Sequence, residues 1–119
     1  MYRKFCFFFI AFLFVSTQLL PQKETALLKK LKSFKEITGI TPVKHDTTFS
    51  EAYEMMISQP LDHNKPNGIK FKQRIFLSHK NDSSPVVFVT EGYAAGSGRP
   101  AELTKILNGN QIVVEHRYF

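Results

Sequence analysis

Two short, wholly apolar runs, separated by a glycine-rich loop and a helical segment, constrain this chain most. Val86-Val87-Phe88-Val89 carries no polar residue, and Ile112-Val113-Val114 repeats the pattern after Gln111. Runs this short and continuous suit strands covered on both faces in a parallel sheet. Between them stands Thr90-Glu91-Gly92-Tyr93-Ala94-Ala95-Gly96-Ser97-Gly98. Pro100 follows at a place suited to a first helical turn. Ala101, Leu103, Ile106 and Leu107 make the apolar stripe of a short helix, and Asn108-Gly109-Asn110 ends it. Strand, helix and strand in that order predict a parallel pair with a right-handed crossover.

The segments upstream read as antiparallel. In residues 53–59, Tyr53, Met55 and Ile57 alternate with Glu54, Met56 and Ser58. Asp62-His63-Asn64-Lys65-Pro66-Asn67-Gly68 is dense in turn formers. Residues 69–78 then alternate cleanly, with Ile69, Phe71, Gln73, Ile75 and Leu77 on one face. A hairpin feeding a parallel pair gives an α/β fold class.

The N-terminal third reads differently. Met1-Tyr2-Arg3-Lys4 is a basic head, and residues 5–15 are uncharged and apolar. That run is shorter than the roughly 20 residues a membrane-spanning helix needs, and with the small residues after it the anatomy is that of an export signal over residues 1–17. An uncleaved membrane anchor is the competing reading. Export predicts a periplasmic, surface or extracellular protein that meets the membrane only through its signal. Cys6 is the only cysteine and would leave with that signal. The mature chain then has no disulfide and must rest on its core.

Residues 18–50 are expected to form a helix and a connector. Leu27, Leu28, Leu31, Phe34 and Ile37 recur at helical spacing over residues 23–38, with Gly39 as the stop. Residues 41–50 are polar. His45-Asp46 invites a metal reading, but no second ligand recurs at a fixed spacing. No metal and no organic cofactor is implied. The formal net charge is +6, yet the lysines are scattered and not interleaved with aromatics, so a nucleic-acid partner has no support. Residues 51–119 are left as the incomplete α/β domain.

Two places could carry chemistry. Glu91-Gly92-Tyr93 follows a buried strand, and sites in open α/β sheets gather at the carboxyl ends of parallel strands. Glycine there lets backbone approach a ligand closely; the same glycines would also serve a plain flexible turn. Glu115-His116-Arg117-Tyr118-Phe119 ends the next strand. His116 and Arg117 are candidates for shaping the site or pairing with a carboxylate, with a structural strand end as the alternative. Gly96-Ser97-Gly98 is neither a phosphate loop nor the five-residue elbow that presents a nucleophilic serine.

Four segments occur in a suggestive order: Gln59-Pro60-Leu61-Asp62-His63-Asn64, then Phe71-Lys72-Gln73-Arg74, then Glu91-Gly92-Tyr93, then Glu115-His116-Arg117-Tyr118-Phe119. Together they resemble the start of the secreted tripeptidyl aminopeptidases of bacteria, a serine peptidase family. They are also similar to the related prolyl carboxypeptidase and dipeptidyl peptidase II family. The resemblance implies a truncated α/β-hydrolase fold, an antiparallel hairpin leading into a parallel sheet, and peptide substrates. It implies Gly92 and Tyr93 in an oxyanion-hole loop, and Glu91 as a possible seat for a substrate's amino terminus. It places the Ser-Asp-His triad beyond Phe119, so no residue of this chain is expected to be the nucleophile, and the chain alone is expected to be inactive. Another exported α/β-hydrolase, such as an esterase, and a non-catalytic envelope protein are the competing readings.

Overall fold

A computed structural model describes residues 24–117. The expected export signal lies outside the described residues, as do Tyr118 and Phe119. The elements are α1 (Ala26–Lys32), β1 (Ile37–Pro42), β2 (Glu51–Pro60), β3 (Lys70–His79), β4 (Val86–Thr90), α2 (Glu102–Leu107) and β5 (Asn110–Val114). The strands form one mixed sheet in the order β1-β2-β3-β5-β4.

The expected hairpin is present. β2 and β3 pair antiparallel from Glu51 opposite His79 to Pro60 opposite Lys70. The strand–helix–strand unit is also present, with β4 and β5 parallel from Val86 opposite Asn110 to Thr90 opposite Val114. β5 joins the two halves by pairing antiparallel with β3. It is therefore an inner strand, and β4 is the edge of the parallel part.

The N-terminal helix is shorter than its periodicity predicts. Thr25 caps it by accepting from Leu28 N at 3.1 Å, and Ser33 closes it by donating to Lys30 O at 2.6 Å. Residues 37–42 then form β1 and not a last helical turn. Ile37, Thr38, Ile40 and Thr41 are β-branched, a composition that fits a pleated surface better than a helix. Gly39 sits in this strand at a register shift between Ile37 and Gly39. The irregularity lets Ile37 and Ile40, three positions apart, pack on the same cluster, as a bulge permits.

That cluster lies on one sheet face. Leu31 of α1 meets Tyr53, Met55 and Ile75, with Leu77, Ile112 and Val114 packed beside them. Thr25 and the Tyr53 hydroxyl both donate to the Glu51 carboxylate at 2.6 Å, tying the start of α1 to β2. Burial, helped by Glu51, pushes the Tyr53 phenol above its ordinary pKa. On the opposite face Phe76 and Val113 pack against Ala95, which is fully buried. The loop after β4 supplies that cover, and α2 continues it. α1 does not extend cover to β4 on the first face. Val87 is buried, but Phe88 is 62% exposed, so this strand is covered on one face where its composition predicts two.

Candidate active-site loop

The strand directions bring four distant segments to one end of the sheet. β4 and β5 are parallel, so Thr90 and Val114 end side by side. β3 runs against β5, which puts its first residues at the same end. The β2–β3 turn, spanning residues 61–69, is there too. Residues 59–64, 71–74, 91–93 and 115–117 therefore converge, although they are spread over the chain.

The loop after β4 leaves the sheet under main-chain control. Glu91 N donates to Val114 O at 3.0 Å, and His116 N donates to Tyr93 O at 3.1 Å. These bonds fix the peptides on either side of Gly92. The Gly92 N–H itself has no hydrogen-bond partner among the described residues. A Cβ placed on Gly92 would meet nothing within 4 Å, and its φ is not positive. The fold does not require glycine at this position. Glu91, Gly92 and Tyr93 are all exposed, Tyr93 by 77%. Beside them opens a cleft of about 380 Å³ lined by Glu91, Ala94, Gly96, Ser97, Arg99 and Val113 among others.

The other half of this end is a polar lattice. Gln73 Nε2 donates to Glu115 O at 2.6 Å, and Gln59 bonds Gln73. Arg74 lies 3.1 Å from Glu54 and 3.8 Å from Glu115. Arg117 reaches the hairpin turn. Its Nη2 donates to Pro60 O at 3.0 Å and Leu61 O at 2.5 Å, and Nη1 bonds His63 Nε2 at 2.5 Å. Its guanidinium also lies over the Phe71 ring, 4.9 Å from the centroid. His116 is exposed at the side-chain level and contributes its backbone N–H.

His45 and Asp46 act within their own turn. His45 Nδ1 lies 3.0 Å from Asp46 O, and Asp46 Oδ1 accepts from Thr48 N at 2.9 Å. That Thr48 N–H holds the Asp46 carboxyl below the usual range. Among the described residues no three metal-binding side chains gather, and no helix is long and apolar enough to cross a membrane.

The structure also shows positioning residues that motif reading passed over. Gln111 is fully buried. Its Oε1 accepts from Ala101 N at 2.7 Å and Thr104 Oγ1 at 2.6 Å, and its Nε2 donates to Arg99 O at 2.9 Å. It pins the returning limb of the loop that begins at Glu91. A polar residue opening an apolar run was the signal available.

The motif segments now have a shared place, and the comparisons agree with them. A family model described as PS-10 peptidase S37 matches residues 26–119. The chain belongs to the peptidase S37 family. Within the curated proteins, a prolyl tri/tetrapeptidyl aminopeptidase of Streptomyces mobaraensis is 41% identical over 66 residues. That match covers 55% of this chain and 14% of the relative. No solved structure matches. The resemblance to tripeptidyl aminopeptidases read from the four segments is thus borne out by this S37 membership. The match begins at Ala26, so it takes in α1 and β1 as well as the segments from Tyr53 onward.

Proposed function

We propose that this S37 chain provides the transition-state-stabilising loop of an exported serine exopeptidase with an α/β-hydrolase fold, one that releases short peptides from free amino termini. One observation carries the reading: Gly92 presents a backbone N–H without a partner among the described residues, between two peptides held by Val114 and His116. Oxyanion holes need donors fixed before charge develops, because fixed dipoles then cost no reorganisation. In α/β-hydrolases one such donor comes from the loop after a parallel strand, and the other from the residue following the nucleophile. Gly92 and Tyr93 supply the first. The serine, histidine and aspartate are supplied by the remainder of such an enzyme, where the serine attacks the scissile carbonyl and the histidine takes its proton. Glu91, exposed beside the cleft, faces the charge of a substrate's amino terminus.

The test is a chimera in which residues 26–119, the span that the family model matches, replace their counterpart in the Streptomyces aminopeptidase. The chimera is expected to cleave a prolyl tripeptide reporter. Gly92→Pro removes the N–H, and kcat is expected to fall about 100-fold with KM little changed, the loss typical of one oxyanion donor. Unchanged kcat in a folded Gly92→Pro chimera would overturn the assignment.

A further inference from the structure

The backbone at residues 116 and 117 holds two things at once. His116 N donates to Tyr93 O at 3.1 Å. The next side chain, Arg117, grips Pro60 O, Leu61 O and His63. We propose that Arg117 is a positioning residue that locks the residues 61–69 turn and the Tyr93 loop into one rigid unit at the carboxyl end of β4 and β5. This rests on the peptidase reading above.

The chemistry suits arginine specifically. A guanidinium is planar, always charged and offers five donors in a fixed fork. Here the fork spans two consecutive carbonyls and an imidazole while its face covers Phe71. Arg117 has no acceptor, so His63 Nε2 must be the acceptor and its ring proton sits on Nδ1. A lysine ammonium is a point charge on a flexible stem and cannot reproduce that span.

The turn it grips is itself ordered, so a grip at one edge holds all of it. Asp62 Oδ1 accepts from Asn64 N at 3.0 Å, Lys65 N donates to Asp62 O at 2.9 Å, and Leu61 N donates to Ile69 O at 2.8 Å. Gln73 fastens the other side of the strand end through Glu115 O. Leu61, Ile69 and Tyr93 stand 51%, 77% and 77% exposed at this end. The unit that Arg117 assembles therefore carries exposed apolar side chains at the end of the sheet from which the Glu91 loop departs. Rigid placement matters here because a misplacement of about 1 Å can cost on the order of 100-fold in rate.

Hydrogen exchange on the whole 119-residue chain tests the coupling, with Lys44→Ala as the control. In Arg117→Ala, exchange at the His116 amide and across residues 61–69 is expected to rise about tenfold together, with residues 52–57 unchanged, as for a local opening. Arg117→Lys should leave both sites as exposed as alanine does. Loosening of the turn alone, with His116 still protected, would overturn the proposal, as would equal loosening of residues 52–57 or full rescue by lysine. In the chimera, Arg117→Ala should lower kcat about tenfold with KM little changed, the signature of a lost transition-state interaction; a rise in KM alone would overturn it. If the unsubstituted chimera is inactive, the peptidase reading fails, and the exchange result still decides whether Arg117 couples turn and loop.

Discussion

The two ends of β5 are built on opposite principles. At its start, Asn110 and Gln111 are buried and their side-chain amides are fully engaged. Asn110 Oδ1 accepts from Lys80 N at 2.7 Å and Asn81 N at 3.3 Å, while Nδ2 donates to Asn81 O and Ser84 O at 2.9 Å. Gln111 does the same for residues 99–104. At its finish, residues 91–93 are exposed, with main-chain bonds at Glu91 N and Tyr93 O. One end spends its polar groups on itself, and the other leaves a donor and a cleft open. The difference separates frame from site along a strand of five residues.

The strongest challenge to that contrast is Gln111→Leu. The side chain is of similar size, but it strands the buried Thr104 hydroxyl along with the part-buried Ala101 N–H and Arg99 O. Each unpaired buried group costs on the order of 1–3 kcal/mol, so a loss of about 3 kcal/mol is expected. Urea unfolding measures it. A loss below about 1 kcal/mol would mean that water satisfies these groups and that the start of β5 is no better anchored than its end.

Gly109→Ala probes the same end with a smaller effect. A Cβ there would lie 2.7 Å from Pro85 O, a backbone atom that cannot swing away. The cost expected from forcing that contact is about 2 kcal/mol, in the range of overpacked sites. Thermal unfolding of the variant should show a clear drop in Tm.

The hairpin and the parallel unit were legible in the sequence because both leave strong patterns. Period-two alternation marks residues 69–78, and continuous apolar runs mark β4 and β5. β1 was not legible because Phe34 and Ile37 extend the spacing of Leu27 and Leu31, so a helical period runs on into a strand. Only the β-branched residues 37–41 argued otherwise, and their burial against β2 decided it. The loop at Glu91-Gly92-Tyr93 could be found from its place after an apolar strand. Arg117 could be marked as noteworthy but not as the clamp on residues 60–63, because a contact across 57 positions leaves no trace in spacing. Gln111 was hidden for a related reason: a glutamine next to an apolar run looks like a strand boundary until three partners close around it.

The smallest expected change in stability is at the open end, and it is the sharpest test of the contrast with Gly109. Gly92→Ala adds a Cβ into space with nothing within 4 Å, at a φ that an L-residue adopts. The substitution should be neutral or stabilising by up to about 0.5 kcal/mol, because alanine restricts the unfolded chain more than glycine does. In the aminopeptidase chimera the same methyl should lower kcat/KM about tenfold, since glycine is needed there only for close approach of a ligand to the backbone. Paired alanine substitutions thus give opposite readouts: stability lost at Gly109, activity lost at Gly92. If Gly92→Ala destabilised the chain as much as Gly109→Ala, glycine at 92 would be serving the fold, and the open end of β5 would be frame as well.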